Sequence, residues 1–138
     1  MYKSAILPSG DKVFSYESII PDGHFIWNEA TKGLSRVPTS IAIEKRIFET
    51  AHEMEKIRQW LGDKPIFVNS WYRDFTANRL AGGAKDSRHL YGDALDFSCS
   101  HLSPKEIFSL LNHRHQKGGL SVYKTHVHID FRGYCCRW

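Results

Sequence analysis

Between residues 40 and 61, apolar side chains recur at Ile43, Ile47, Ala51, Met54, Ile57 and Leu61. Steps of three and four predict one apolar helix face, which Gly62 then stops. PIFVNSWYR, residues 65–73, is rich in β-formers and predicts a strand. Residues 74–90 are polar, contain Gly82-Gly83 and predict a loop. Asp93 to Phe97 predicts a short strand. Ser103-Pro104-Lys105-Glu106 is a capping box with proline at the first helical position. The helix it opens carries Ile107, Phe108, Leu110 and Leu111 on its apolar side and ends at Gly118-Gly119. Leu120 to Tyr123 and His126 to Phe131 predict two strands, a hairpin about Lys124. The first 38 residues hold the turn formers Pro8-Ser9-Gly10, Pro21-Asp22-Gly23, Lys32-Gly33 and Pro38, and predict short strands and loops wrapped on the domain. Strands precede and follow helices without βαβ regularity, so the expected class is α+β with an antiparallel sheet.

Two stretches break the apolar pattern with polar groups. In SRHLYGDALDF, residues 87–97, Asp96 stands between Leu95 and Phe97. An unpaired buried carboxylate costs several kcal/mol, so Asp96 needs a partner. In THVHIDF, side chains two apart face the same way. His126, His128 and Asp130 therefore share one face, and Val127, Ile129 and Phe131 the other. Such alternation also describes any half-exposed strand. If the two strands are neighbours, His89, Asp96 and His128 meet at one point. Two imidazoles and a carboxylate form a catalytic zinc set with a fourth position open. They also describe the facial triad of non-haem iron oxygenases, but those enzymes space the first His and the acid as HxD. Here Asp96 lies seven residues after His89, which favours zinc.

Composition narrows the setting. The chain has 138 residues, with 41% hydrophobic and 13% aromatic, enough for a single domain over residues 1–138 with its own core. The net charge of +4 comes from scattered Lys and Arg, not from the clustered charge of a nucleic-acid binder. No run of about 18 apolar residues is present, so no membrane insertion is expected. Ala5-Ile6-Leu7 before Pro8 is too short for a signal peptide, so synthesis in the cytoplasm is expected. Cys99, Cys135 and Cys136 make no disulfide framework and read as structural or incidental thiols in a reducing compartment. His24, His52, His101, His113 and His115 show no second metal pattern. Trp27, Trp60 and Trp71 read as core packing.

SRHLYGDALDF resembles the S-x-H-x-x-G-x-A-x-D motif of the zinc D-Ala-D-Ala carboxypeptidase family, whose fold is shared with the hedgehog signalling domain. NSWYRD is similar to that family's S-x-Y-R segment, HVHID to its final histidine motif, and GGAKDS to the glycine-containing loop between them. HFIWNEATKG and RGYCCRW resemble its branch of small single-domain members, so the resemblance runs from about His24 to Trp138.

The resemblance implies an antiparallel sheet with helices packed on one side, and Zn2+ held by His89, Asp96 and His128. It implies that Arg73 holds a substrate carboxylate or carbonyl oxygen, which suits a guanidinium fork. Read by chemistry alone, Arg73 also fits an ion pair with Asp74. His126 matches a second histidine that steadies an oxyanion or moves a proton. Ser87 and Asp130 fit a part in orienting ligands. Where many members carry Asp or Glu as general base, this chain has Thr125. The base is then His126, another carboxylate such as Asp130, or the hydroxide at the metal. The expected function is a zinc peptidase acting on D-alanine-containing peptidoglycan stem peptides, as carboxypeptidase or endopeptidase, in a monomer. An unexported form suits a phage-type lysis enzyme. The alternative is a non-catalytic zinc-stabilised domain that binds cell wall or protein.

Overall fold

A computed structural model describes residues 2–138. Two short strands, β1 (Ser4–Ile6) and β2 (Lys12–Phe14), form an antiparallel ribbon. A short helix α1 (Trp27–Thr31) follows, then the long α2 (Ile41–Trp60). Next come β3 (Ile66–Ser70), α3 (Phe75–Leu80), a 3-10 turn (Arg88–Tyr91) and β4 (Ala94–Cys99). The chain closes with α4 (Pro104–Leu111), β5 (Gly119–Val122), β6 (Val127–Asp130) and β7 (Cys136–Arg137). The main sheet has the order β3-β4-β6-β5-β7. Its first four strands are antiparallel, and β7 adds a parallel edge to β5. The α+β class stands, with a sheet that is mixed at one edge.

The apolar face of α2 behaves as its spacing predicts: Ile47, Ala51, Met54 and Ile57 are buried. Ser40 caps its start by accepting from the Ile43 amide. The α4 capping box forms, with Ser103 and Glu106 each accepting from the other's backbone N–H. Ile107 and Leu111 of α4 join Leu95, Phe97, Val127 and Ile129 of the sheet in one core. Trp27 and Trp71 lie in this core, as expected. Trp60 does not: it is 37% exposed, under the Arg114 guanidinium.

Three local expectations change. Residues 74–90 are not one loop. Asp74 accepts from the Ala77 amide and starts α3, whose Phe75 and Leu80 are exposed. The apolar period was absent there because α3 buries only Asn78. The helix opened by Pro104 ends at Leu111, well before Gly118, and His115 folds back as a buried side chain. The N-terminal segment contains α1.

Asp93, fully buried, ties these parts together. It pairs with Arg46 of α2 and with Arg88 of the 3-10 turn. The turn that carries His89 is thereby anchored to the longest helix and to the start of β4.

Gly118 marks a close approach. A Cβ there would collide with the Asp130 carbonyl oxygen and with His115 Nε2. Gly118→Ala is expected to destabilise the fold by about 1–3 kcal/mol or more, because the blocking atoms are packed backbone and a buried ring. Urea denaturation of the variant beside the parent measures this; an unchanged midpoint would contradict the packing.

Candidate metal centre

The antiparallel register sets the site. Asp96 on β4 stands opposite His128 on β6, Ser70 on β3 opposite Asp96, and Ser121 on β5 opposite His128. Paired residues on facing positions point to the same side of a sheet. One polar row thus crosses four strands, on the side opposite Leu95, Phe97, Val127 and Ile129. Asp96 is only partly buried, because its side of the sheet forms the floor of a cleft of about 710 Å3.

His89 reaches the row from the 3-10 turn. Ser87 caps that turn, its Oγ accepting from the His89 amide at 3.2 Å. Gly92 ends it at φ 80°, a left-handed value. His89, Asp96 and His128 then offer donor atoms all within 4.8 Å of one another. His89 Nε2 lies 3.3 Å, and His128 Nδ1 3.1 Å, from the same Asp96 oxygen. The two rings meet edge to face, centroids 5.2 Å apart.

The outward nitrogens decide what these inward atoms are. His89 Nδ1 donates to the Trp71 carbonyl at 2.7 Å. His128 Nε2 donates to Asp130 at 2.8 Å. Both imidazoles, when neutral, therefore aim lone pairs at a carboxylate. Three acceptors facing one another repel unless a cation lies between them. Two nitrogens and one carboxylate oxygen are a zinc donor set with room for a further ligand. The residues fit the group.

Asp130 is fully buried and lies behind His128, away from the cleft lining. Burial would raise its carboxyl, but bonds from Arg132, His128 and the Gly119 amide outweigh this and hold it far below the usual range. Arg132 binds it through two nitrogens, Nε at 2.8 Å and Nη2 at 2.7 Å. His115 Nε2 holds the Asp130 carbonyl at 2.7 Å.

Arg73 lines the cleft and does not pair with Asp74, which is occupied as the α3 cap. Its Nη2 lies 3.3 Å from Asp96, and its Nε donates to Ser70 Oγ at 3.1 Å. His126 lines the cleft too, just before β6 begins. Its ring stacks on Tyr123 with centroids 4.9 Å apart, and its Nδ1 lies 3.1 Å from Thr125 Oγ1. It is not part of the three-residue cluster. Thr125 itself is exposed.

The sequence did not single out Arg132, His115, the Trp71 carbonyl or the placement of Trp138 against His128. All four act through contacts made only on folding. The lone sequence signal was the pairing of Asp130 with Arg132 two residues on. Cys99 is buried, Cys135 exposed and Cys136 in the cleft wall. Among the described residues, no helix is long and apolar enough to cross a membrane.

Acid should empty such a site. Burial lowers the His128 pKa, but the bonds to Asp130 and Asp96 prevail and raise it above 6.5 in the metal-free protein. As pH falls through that raised value, His128 gains a proton that a metal must displace. Zinc affinity is expected to fall by up to about tenfold per pH unit for each such proton, starting above the ordinary imidazole range. Competitive titration against a chromophoric chelator across pH measures it; a flat affinity through that range would contradict the assignment of His128 Nδ1.

The peptidase M15 family model matches residues 17–130, most of the chain and all three residues of the metal cluster. A zinc D-Ala-D-Ala carboxypeptidase from Streptomyces albus G is 47% identical over 47 residues. That stretch is 34% of this chain and 18% of the relative, so the similarity covers only a small part of the larger protein.

Proposed function

This chain belongs to the peptidase M15 family, and we propose that it is a zinc-dependent peptidase hydrolysing D-alanine-containing stem peptides of peptidoglycan. The observation that carries the reading is the row of inward donors on His89, Asp96 and His128, with both outward nitrogens engaged, on the floor of an open cleft. The similarity to a zinc D-Ala-D-Ala carboxypeptidase supports the substrate class.

His89, Asp96 and His128 would hold the zinc. Bound there, zinc supplies a Lewis acid that polarises a carbonyl and lowers the pKa of water. Arg73 binds the substrate's terminal carboxylate or a neighbouring carbonyl with its guanidinium, beside the metal ligand Asp96. His126 stands in the cleft wall, where its imidazole donates to the developing oxyanion or moves a proton. Asp130 keeps His128 in the tautomer that frees Nδ1. With every oxygen taken by Arg132, Gly119 or His128, it has no capacity left to accept a substrate proton. Of the candidates for the base, the geometry therefore favours His126 over Asp130. Ser87 orients the turn that carries His89.

A second reading has one observation in its favour. Thr125, exposed and bonded to His126, stands where many relatives carry a carboxylate, as a zinc-stabilised binding domain without turnover would allow. Digestion of purified peptidoglycan, with and without chelator, separates the two. Muropeptide fragments identified by mass spectrometry, and lost with chelator, support the peptidase and locate the bond. No released amino groups between about pH 5 and pH 9 would sink it.

His126→Ala is expected to keep zinc but to lose rate by about 100-fold or more, the usual contribution of a positioned acid–base group. Zinc content by plasma emission and kcat on a stem peptide measure both. Loss of zinc equal to that of a ligand variant would mean that His126 binds metal.

A further inference from the structure

Trp138 is not among the proposed metal ligands, yet it links two of the three histidines that line the cleft, His126 and His128. Its indole lies against the His128 ring, centroids 5.0 Å apart. The Arg132 guanidinium stands over the same indole at 5.3 Å. Arg132 binds Asp130, and Asp130 binds His128 Nε2. The contacts thus close a ring: His128, Asp130, Arg132, Trp138 and back to His128. From this ring the indole Nε1 donates to the Tyr123 hydroxyl at 3.0 Å. Tyr123 in turn stacks on His126, nearly parallel at 13°. The Trp138 carbonyl is held by Ser121 Oγ at 2.7 Å. Ser121 sits opposite His128 in the register, so the backbone of Trp138 is fixed to the same polar row.

A residue that is 55% exposed and whose ring still makes three of these contacts is not packed for burial. It lies between His128, which is buried on β6, and His126, which precedes the strand with its carbonyl held by the Tyr123 amide at 2.9 Å and its ring beside Thr125. We infer that Trp138 is a positioning residue that holds His126, through Tyr123, at a set place relative to His128. This rests on the proposed role of His126 in the peptidase.

Trp138→Phe keeps an aromatic face for His128 and Arg132 but removes the N–H donor. Tyr123→Phe removes the matching hydroxyl and leaves the stack. Both variants, and the two combined, are tested as full-length, zinc-loaded protein. Zinc content is expected to stay stoichiometric, and a cobalt-substituted sample to keep its visible bands, because the ligands are untouched. The His126 carbon-bound ring protons, which sense the Tyr123 ring current, are expected to shift in both variants. On a stem peptide, kcat is expected to fall by about tenfold with KM nearly unchanged, since a misplaced group costs rate more than binding. The double variant should be no worse than either single one. Unmoved His126 resonances in both variants, or fully additive rate losses, would overturn the inference. The resonances report placement without any turnover. A shift in a protein that hydrolyses nothing would therefore keep the positioning role and reject only the peptidase.

Discussion

His128→Ala is expected to leave the protein without zinc and without hydrolytic activity. His128 is the one ligand on which three supports converge: Asp130 on Nε2, Asp96 across the strand pair and Trp138 over the ring. Removing it leaves His89 and Asp96, too few protein ligands for a structural or catalytic zinc. The Asp130 carboxylate keeps Arg132 and Gly119, so the fold should persist. Zinc analysis after dialysis and peptidoglycan digestion read the two outcomes. Stoichiometric zinc in a folded His128→Ala protein would remove the basis of the metal centre. The contrast with His126→Ala, which should keep its metal, separates ligand from wall residue.

The second large effect is expected at Asp130, a residue with no direct place at the reaction. Asp130→Asn keeps the shape but removes the charge that Arg132 and His128 face. A carboxylate behind a ligand histidine raises its basicity and sets its tautomer, and losing such a partner typically costs 10–100-fold in metal affinity. Zinc affinity is expected to fall by about that factor, read by competition with a chelator. Asp130→Ala is harsher. It leaves the Gly119 amide without an acceptor and the Arg132 guanidinium without its carboxylate. Breaking a buried pair from one side costs about 3–5 kcal/mol. Urea denaturation in zinc-free buffer isolates that loss from metal binding. Unchanged stability in Asp130→Ala would mean that water or another group satisfies Arg132, and the closed ring of contacts would lose its meaning.

The core elements were legible because they depend on neighbours in the chain. The step of three and four from Ile43 to Leu61 and the Ser103–Glu106 capping box each lie within a few turns of chain. They formed as expected. The polar α3 was not legible, since a helix that buries one residue leaves no apolar period to read. β7 was not legible either: two residues carry no period, and its parallel pairing with β5 depends on where the chain returns. At the site, the donor types were visible in SRHLYGDALDF and HVHID. The alternation placed Val127 and Ile129 in the core and His128 on the other side. Taken alone, the same pattern also described a strand half open to solvent, whereas all four residues of β6 are buried. A cleft wall built from Trp138, Tyr123 and Arg132 covers that face, and no periodicity within the strand could announce it.

By itself, the sequence determined which side chains the site has and to which side of each strand they point. Strand period and helix capping act over a few residues and hold in any tertiary context that keeps the element. Folding alone decided the pairing. Asp96 meets His128 because burial of Leu95, Phe97, Val127 and Ile129 fixes the register, and a slip of one residue would turn every one of them outward. Folding also decided which nitrogen of each histidine is free, because Trp71 and Asp130 take the other one. Those partners come from the end of one strand and from a buried ion pair, and only the packed sheet brings them behind the rings.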